Sequence, residues 1–131
     1  MSKQPLYLKT FNKQFEDFFN EINDIIPNNV DLVTTRTSLF TLKKFNPKML
    51  IGIWYDYIWI PYRDSIQKGD ISYFIDKNYG GDVQYLDDSK KVMEGIDNIR
   101  GPIKSMSKEN QDCCMKYIQN LSKLSAAYKE A

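Results

Sequence analysis

At 131 residues, with 42% hydrophobic and 14% aromatic side chains, the chain has the length and apolar content of one self-supporting domain, which excludes a disordered polypeptide and removes any need for disulfides or metal. A balance of 18 Lys and Arg against 17 Asp and Glu leaves a net charge of +1, so no global field draws the chain to nucleic acid or to an anionic membrane. The sequence contains no histidine, which excludes Ser-His and Cys-His nucleophile pairs and most zinc arrangements.

In chain order, "MSKQPLYLKTFNKQF" lacks the apolar stretch of a secretion signal, and the expected setting is the cytosolic side of membranes. Phe11, Phe15, Phe18, Phe19, Ile22, Ile25 and Ile26 recur at three and four residues, the amphipathic helical period, with Thr10 as the candidate N-cap and "PNN" as the end. A second, threonine-rich helix is expected from Asn29 to "KFNP", with Leu32, Val33, Leu39, Phe40 and Leu42 as its apolar members. Asn46 followed by Pro47 reads as a capping side chain and a first helical residue, and Gly69 as the stop of the helix that follows.

That third helix contains "MLIGIWYDYIWIPY", residues 49–62, apolar nearly all round. Leu50, Ile53, Trp54, Tyr57 and Ile58 share one face, Ile51, Tyr55, Trp59 and Tyr62 another, and only Gly52 and Asp56 mark a polar side, the signature of a central helix. Its apolar run spans roughly 21 Å, which is short of a bilayer core. Pro61 predicts a kink. Asp70 caps a short helix over "ISYFIDKNY", and "GGDVQYLDD" reads as a loop. The stripe Val92, Met93, Ile96, Ile99, Ile103 and Met106 follows, interrupted by Gly101 and Pro102; Ser107 opens a last helix carrying Met115, Ile118, Leu121 and Leu124. The expected fold is all-α: one domain over residues 1–131, a compact bundle of five to six short helices around a central aromatic-rich helix at about residues 47–68.

Chemistry-bearing patterns are few. Cys113 and Cys114 are adjacent, and helical neighbours diverge by about 100°, so reduced thiols are expected rather than a disulfide. "DKNYGGDVQYLD", residues 76–87, follows a calcium loop at Asp76, Asn78, Gly81 and Val83, but Gly80 offers no side-chain oxygen and Asp87 is shorter than the bidentate Glu the site needs. The favoured reading is a glycine turn flanked by solvated acids, so no metal, cofactor or catalytic residue is expected, and the chain reads as a non-enzyme. The acids Asp87 and Asp88 read as loop residues capping the next helix.

Charge is uneven along the chain. Residues 31–54 carry four basic side chains and one acid, residues 55–88 three and seven, and residues 89–131 eight and five. Arg36, Lys43, Lys44 and Lys48 form one candidate partner surface, Lys90, Lys91, Arg100, Lys104 and Lys108 a second, and Asp82, Asp87 and Asp88 an acidic one. The lysines allow phosphate contact, although no nucleic-acid-binding motif accompanies them and the aromatic rings sit at core spacing.

Two segments, "NPKMLIGIWYDYIWIPYRDSIQKGDISYFIDKNY" and "IDNIRGPIKSMSKENQDCCMKYIQNLSKLSAAY", resemble a family of small helical proteins of nucleocytoplasmic large DNA viruses, the giant viruses of algae and protists. The first carries the likeness in Asn46-Pro47, Trp54, Tyr57, Pro61-Tyr62 and Gly69-Asp70-Ile71, the second in Asn98, Ile99, Arg100, Pro102 and "YIQNLSKLS". The resemblance implies no catalytic residue. It implies a virion component or an accessory protein of the host cytoplasm and viral factory, contacting other viral proteins or itself; the two basic blocks give the alternative, a nucleic-acid-associated factor of the replication or transcription compartment.

Overall fold

The computed structural model describes residues 3–76 and 87–131, apart from the side chains of Tyr73, Asp87 and Asp88. Its elements are α1 (Gln4–Ile25), α2 (Val30–Phe45), α3 (Met49–Trp54), a π-helical turn (Tyr55–Trp59), α4 (Ile60–Lys68), α5 (Ile71–Asp76), α6 (Asp87–Lys104) and α7 (Lys108–Glu130). The described chain is an all-α bundle.

Local signals place most of the ends. The Asn29 side chain accepts from the Leu32 amide at 3.1 Å and the Ser107 hydroxyl from the Asn110 amide at 3.2 Å, satisfying amides that the first helical turn leaves open. Gly69 stops α4 at φ +74°, a conformation a Cβ would strain, and the Asp70 carboxylate accepts from the Ser72 amide at the start of α5.

Four expectations are corrected. The first helix begins at Gln4, not at Thr10, because Pro5 in the first turn has no amide to leave unsatisfied; Thr10 lies inside the helix. The third begins at Met49, two residues after Pro47, since the Asn46 amide closes α2 on the Leu42 carbonyl at 2.9 Å. Asp87 and Asp88 form the first turn of α6, where acids suit the positive helix end, and not the end of a loop. Gly101 and Pro102 do not interrupt α6, which runs to Lys104. Gly101 has no Cβ to collide with the proline ring, so it keeps helical geometry where another residue would be driven from it.

Pro61 acts as its chemistry requires. Without an amide it cannot donate to the carbonyl four residues back, and the chain widens into the π turn just before it, with the Ile60 amide reaching the Tyr55 carbonyl; Tyr62 then departs from helical geometry at φ −121°. Gly52 in α3 has no heavy atom within 4 Å of where a Cβ would stand. Gly52→Ala is therefore expected to raise stability by about 0.5–1 kcal/mol in chemical denaturation, through lower unfolded-state freedom alone.

The core closes around α3, which touches α1, α2, α6 and α7. Leu50, Ile51, Ile53, Trp54, Ile58 and Trp59 are buried, whereas Asp56 is exposed. Phe11 meets Trp54 edge-on at 6.2 Å, and the indole N–H donates to the buried Ser122 hydroxyl at 2.9 Å. Helices α1 and α7 run antiparallel: Gln4 donates to the Tyr128 carbonyl at 2.9 Å at one end, and Phe18 stacks on Tyr117 at 5.4 Å toward the other. Two other amide side chains bind carbonyls at helix ends, Gln111 on Ile103 and Lys104 at 3.2 Å and Gln119 on Ile66 at 2.9 Å. Among the described residues no helix is long and apolar enough to cross a membrane.

Candidate docking face on the second helix

Helix α2 has one face in the core. Leu32, Thr35 and Leu39 are buried, Asn98 of α6 donates to the Thr35 hydroxyl at 3.2 Å, and Leu39 lies against Gly95, where a Cβ would stand 3.0 Å from the Leu39 Cδ1. Thr35 faces Asn98 and Leu39 faces Gly95, so α2 and α6 run antiparallel. A second flank faces α1: Arg36 donates to the Asn20 side chain at 3.1 Å, and Lys43 pairs with Glu16. Burial, then the charges of Lys44 and Lys13, lowers the Lys43 pKa, and the Glu16 carboxylate compensates the cation in place.

The outer face is unlike a solvated helix. Val30, Thr34, Thr37 and Thr41 recur at four, three and four residues, with Val33, Ser38 and Phe45 beside them, and all seven are exposed. The exposed Lys44 is the one charged side chain within the arc these seven span, between Val33 and Thr37 at 100° per residue, and Asp31 borders it. Val30 is 76% exposed and Phe45 85%, the two most exposed large hydrophobic residues described. Threonines weaken a helix, and Thr41 returns its hydroxyl to the Thr37 carbonyl at 2.9 Å. Beside this face, a groove of about 540 Å³ runs between α2 and α6, with Thr34, Ser38 and Thr41 on one wall and Lys91, Glu94 and Asn98 on the other. Smaller hollows of about 380 and 320 Å³ flank Pro61 and Trp59.

The candidate charged residues fall into several environments. Arg36 and Lys43 are held against α1, as described, while Lys44 and Lys48 are exposed. Lys90 and Lys91 are exposed at the start of α6, and Lys91 lines the groove at the end nearer Lys44. Arg100 and Lys104 stand roughly 15 Å further along α6. There Arg100 meets Asp97 at 3.5 Å and donates to the Ile75 carbonyl at 3.2 Å, and Lys104 meets Asp76 at 3.5 Å. Asp82, the side chains of Asp87 and Asp88, and the calcium-loop segment 77–86 lie outside the described residues. Among the described residues no three Cys, Asp or Glu side chains come together to hold a metal ion.

The residues that build the groove and the outer face, Val30, Thr34, Thr37, Ser38, Thr41, Phe45, Glu94, Gly95 and Asn98, went unselected by charge-based reasoning. The signal available was the spacing Val30, Thr34, Thr37, Thr41 with no charge in it, which becomes meaningful only once the opposite face is known to be the buried one.

Both cysteines are free thiols. Cys114 is buried with its sulfur 3.7 Å from that of Met106, and burial, then Cys113 and Glu21, pushes its pKa from 9.0 up to about 12. A thiol-specific reagent at pH 8 should therefore modify Cys113 first and Cys114 only on unfolding. A folded-state pKa above the unfolded one adds stability that is complete below pH 9.0 and lost as pH rises toward about 12. Alkaline melts are expected to fall across that window, and Cys114→Ala should flatten the fall.

No protein-family model, curated protein or solved structure matches the chain.

Proposed function

We propose that the protein is a non-enzymatic binding module that acts through protein–protein contacts made by the outer face of α2. The observation that carries this reading is the exposure of Val30 and Phe45, the two most exposed large hydrophobic side chains among the described residues, at the two ends of one hydroxyl-rich helical face whose single charge is Lys44. Between them the Thr41 hydroxyl already bonds the Thr37 carbonyl, so it can leave water at modest cost. The resemblance to proteins of large DNA viruses supports a setting in the particle or in the viral factory, with viral proteins as partners.

Site-specific photo-crosslinking in producing cells tests the face. A photoreactive residue at Thr37 is expected to form protein adducts, and one at the exposed Lys116 of α7 is not; equal yields at both positions would contradict the proposal. Mass spectrometry of purified particles tests the setting, and absence from particles with abundance in infected cytoplasm would contradict packaging.

The exposed Lys44 and Lys91 at one end of the groove favour a second reading, a nucleic-acid-associated factor using phosphate contacts. Such contacts weaken steeply with salt, so binding of a labelled oligonucleotide at 50 mM salt that disappears at 200 mM would support it, and no binding at 50 mM would end it.

A further inference from the structure

We infer that the hollow of about 320 Å³ between α4 and α7 is a binding site for a small aromatic monocarboxylate, its ring lying against Trp59 and its carboxylate meeting the cations of Lys123 and Arg63. The site takes no residue from α2, so the inference is independent of the docking face and goes beyond it.

The hollow follows from how two stretches of chain meet. The stretch from the π turn through α4 runs antiparallel to α7: the Gln119 side chain donates to the Ile66 carbonyl at 2.9 Å at one end, and the Lys129 ammonium stands 5.9 Å from the centre of the Tyr55 ring at the other. Between these ties, Trp59 and Ile66 line one wall and Ala126 the other. Ala126 offers only a methyl, and the space that a larger side chain would fill stays open. The π turn supplies the indole: its extra residue widens the helix where it contacts α7, and turns of this kind recur at functional sites. Trp59 is 8% exposed and Ile66 5%, so the floor is apolar, while Gln67 and Lys123 are exposed at the mouth.

Charge at the mouth decides the ligand class. Lys123 lines the hollow from α7, and the Arg63 guanidinium stands 5.4 Å from the centre of the Trp59 ring, one turn along the chain. Among the described residues no acid lines the hollow; Asp64 lines the separate one beside Pro61. Neither Lys123 nor Arg63 pairs with a carboxylate among the described residues, whereas Lys13, Lys43, Arg100 and Lys104 all do. Two cations without a counter-charge beside an apolar floor favour an anion with an apolar body, and a guanidinium fork matches a carboxylate in its plane. The wall from Trp59 to Ile66 is about 10 Å long, which suits a body of roughly one or two fused rings and is short for a long acyl chain.

The test is a titration of the intact chain with 2-naphthoate, followed by NMR. The chain has two tryptophans, hence two indole N–H signals. That of Trp59 is expected to shift and that of Trp54, buried and bonded to Ser122, to stay fixed. 2-Naphthamide, alike in shape and uncharged, should bind roughly tenfold more weakly. Lys123→Gln and Arg63→Gln should each weaken naphthoate about three- to fivefold and leave naphthamide unchanged. Both side chains are exposed, so the fold tolerates either substitution. Ala126→Leu should fill the hollow and abolish binding of both compounds, with a melt of the variant checking that it is folded. Equal affinity for naphthoate and naphthamide, tighter binding of decanoate than of naphthoate, or a Trp59 signal that stays fixed at millimolar naphthoate would overturn the assignment.

Discussion

Trp54→Ala is expected to destabilise the fold by about 3–5 kcal/mol and to lower the melting temperature by roughly 10 °C or more. The indole is 2% exposed and lies between α1 and α7, edge-on to Phe11 and bonded to Ser122. Truncation leaves a cavity that neighbouring helices, tied by their end contacts, close only in part. It also strips the donor from the buried Ser122 hydroxyl, adding about 1 kcal/mol for an unsatisfied group. Trp54→Phe separates the two contributions, since it keeps most of the volume and removes the N–H. A melt of Trp54→Ala within a few degrees of the parent would mean that the ring is not the centre of the core.

Gly95→Leu is expected to cost about 1–3 kcal/mol and to weaken any contact made by α2. The first added carbon already stands 3.0 Å from Leu39 Cδ1 and 3.3 Å from its Cγ and Cδ2, and Leu39 is 1% exposed. The remaining carbons of the leucine force α2 away from α6, which also strains the Asn98 to Thr35 bond. Gly95→Ala is the matched control: a gain in helix propensity of about 1 kcal/mol offsets a small displacement of the leucine tip, and the net change is expected to be near zero. Chemical denaturation of the two variants checks both, and equal stabilities would contradict the close approach of the two helices.

Legibility in the sequence followed the range of the interaction. Asn29, Ser107 and Gly69 were readable because caps and stops are decided within a few residues of chain. The burial of Trp54 and Ile58 was readable because a helix apolar all round has one physical solution. Thr10 misled because a good capping residue preceded the aromatic run, while Pro5 had already started the helix. Pro102 misled because its effect depended on Gly101, which relieves the clash that usually ends a helix before proline.

The candidate site was less legible for a different reason. Arg36, Lys43, Arg100 and Lys104 looked like members of basic patches, but each is in contact with a group from another helix, a pairing set by the tertiary fold. The outer face of α2 carries a single charge, Lys44, among hydroxyl and apolar side chains that draw no attention. Periodicity shows that Leu32 and Leu39 share a face; it does not show whether Val30 and Phe45, on the other side, meet a neighbour.

The most direct measurement is photo-crosslinking in producing cells from a series of positions around α2. Protein adducts are expected from Val33, Thr34, Thr37 and Thr41 and none from Lys116 on α7. Adducts that centre on Lys90, Arg100 and Lys104, or that form equally over the whole surface, would contradict a docking face on α2.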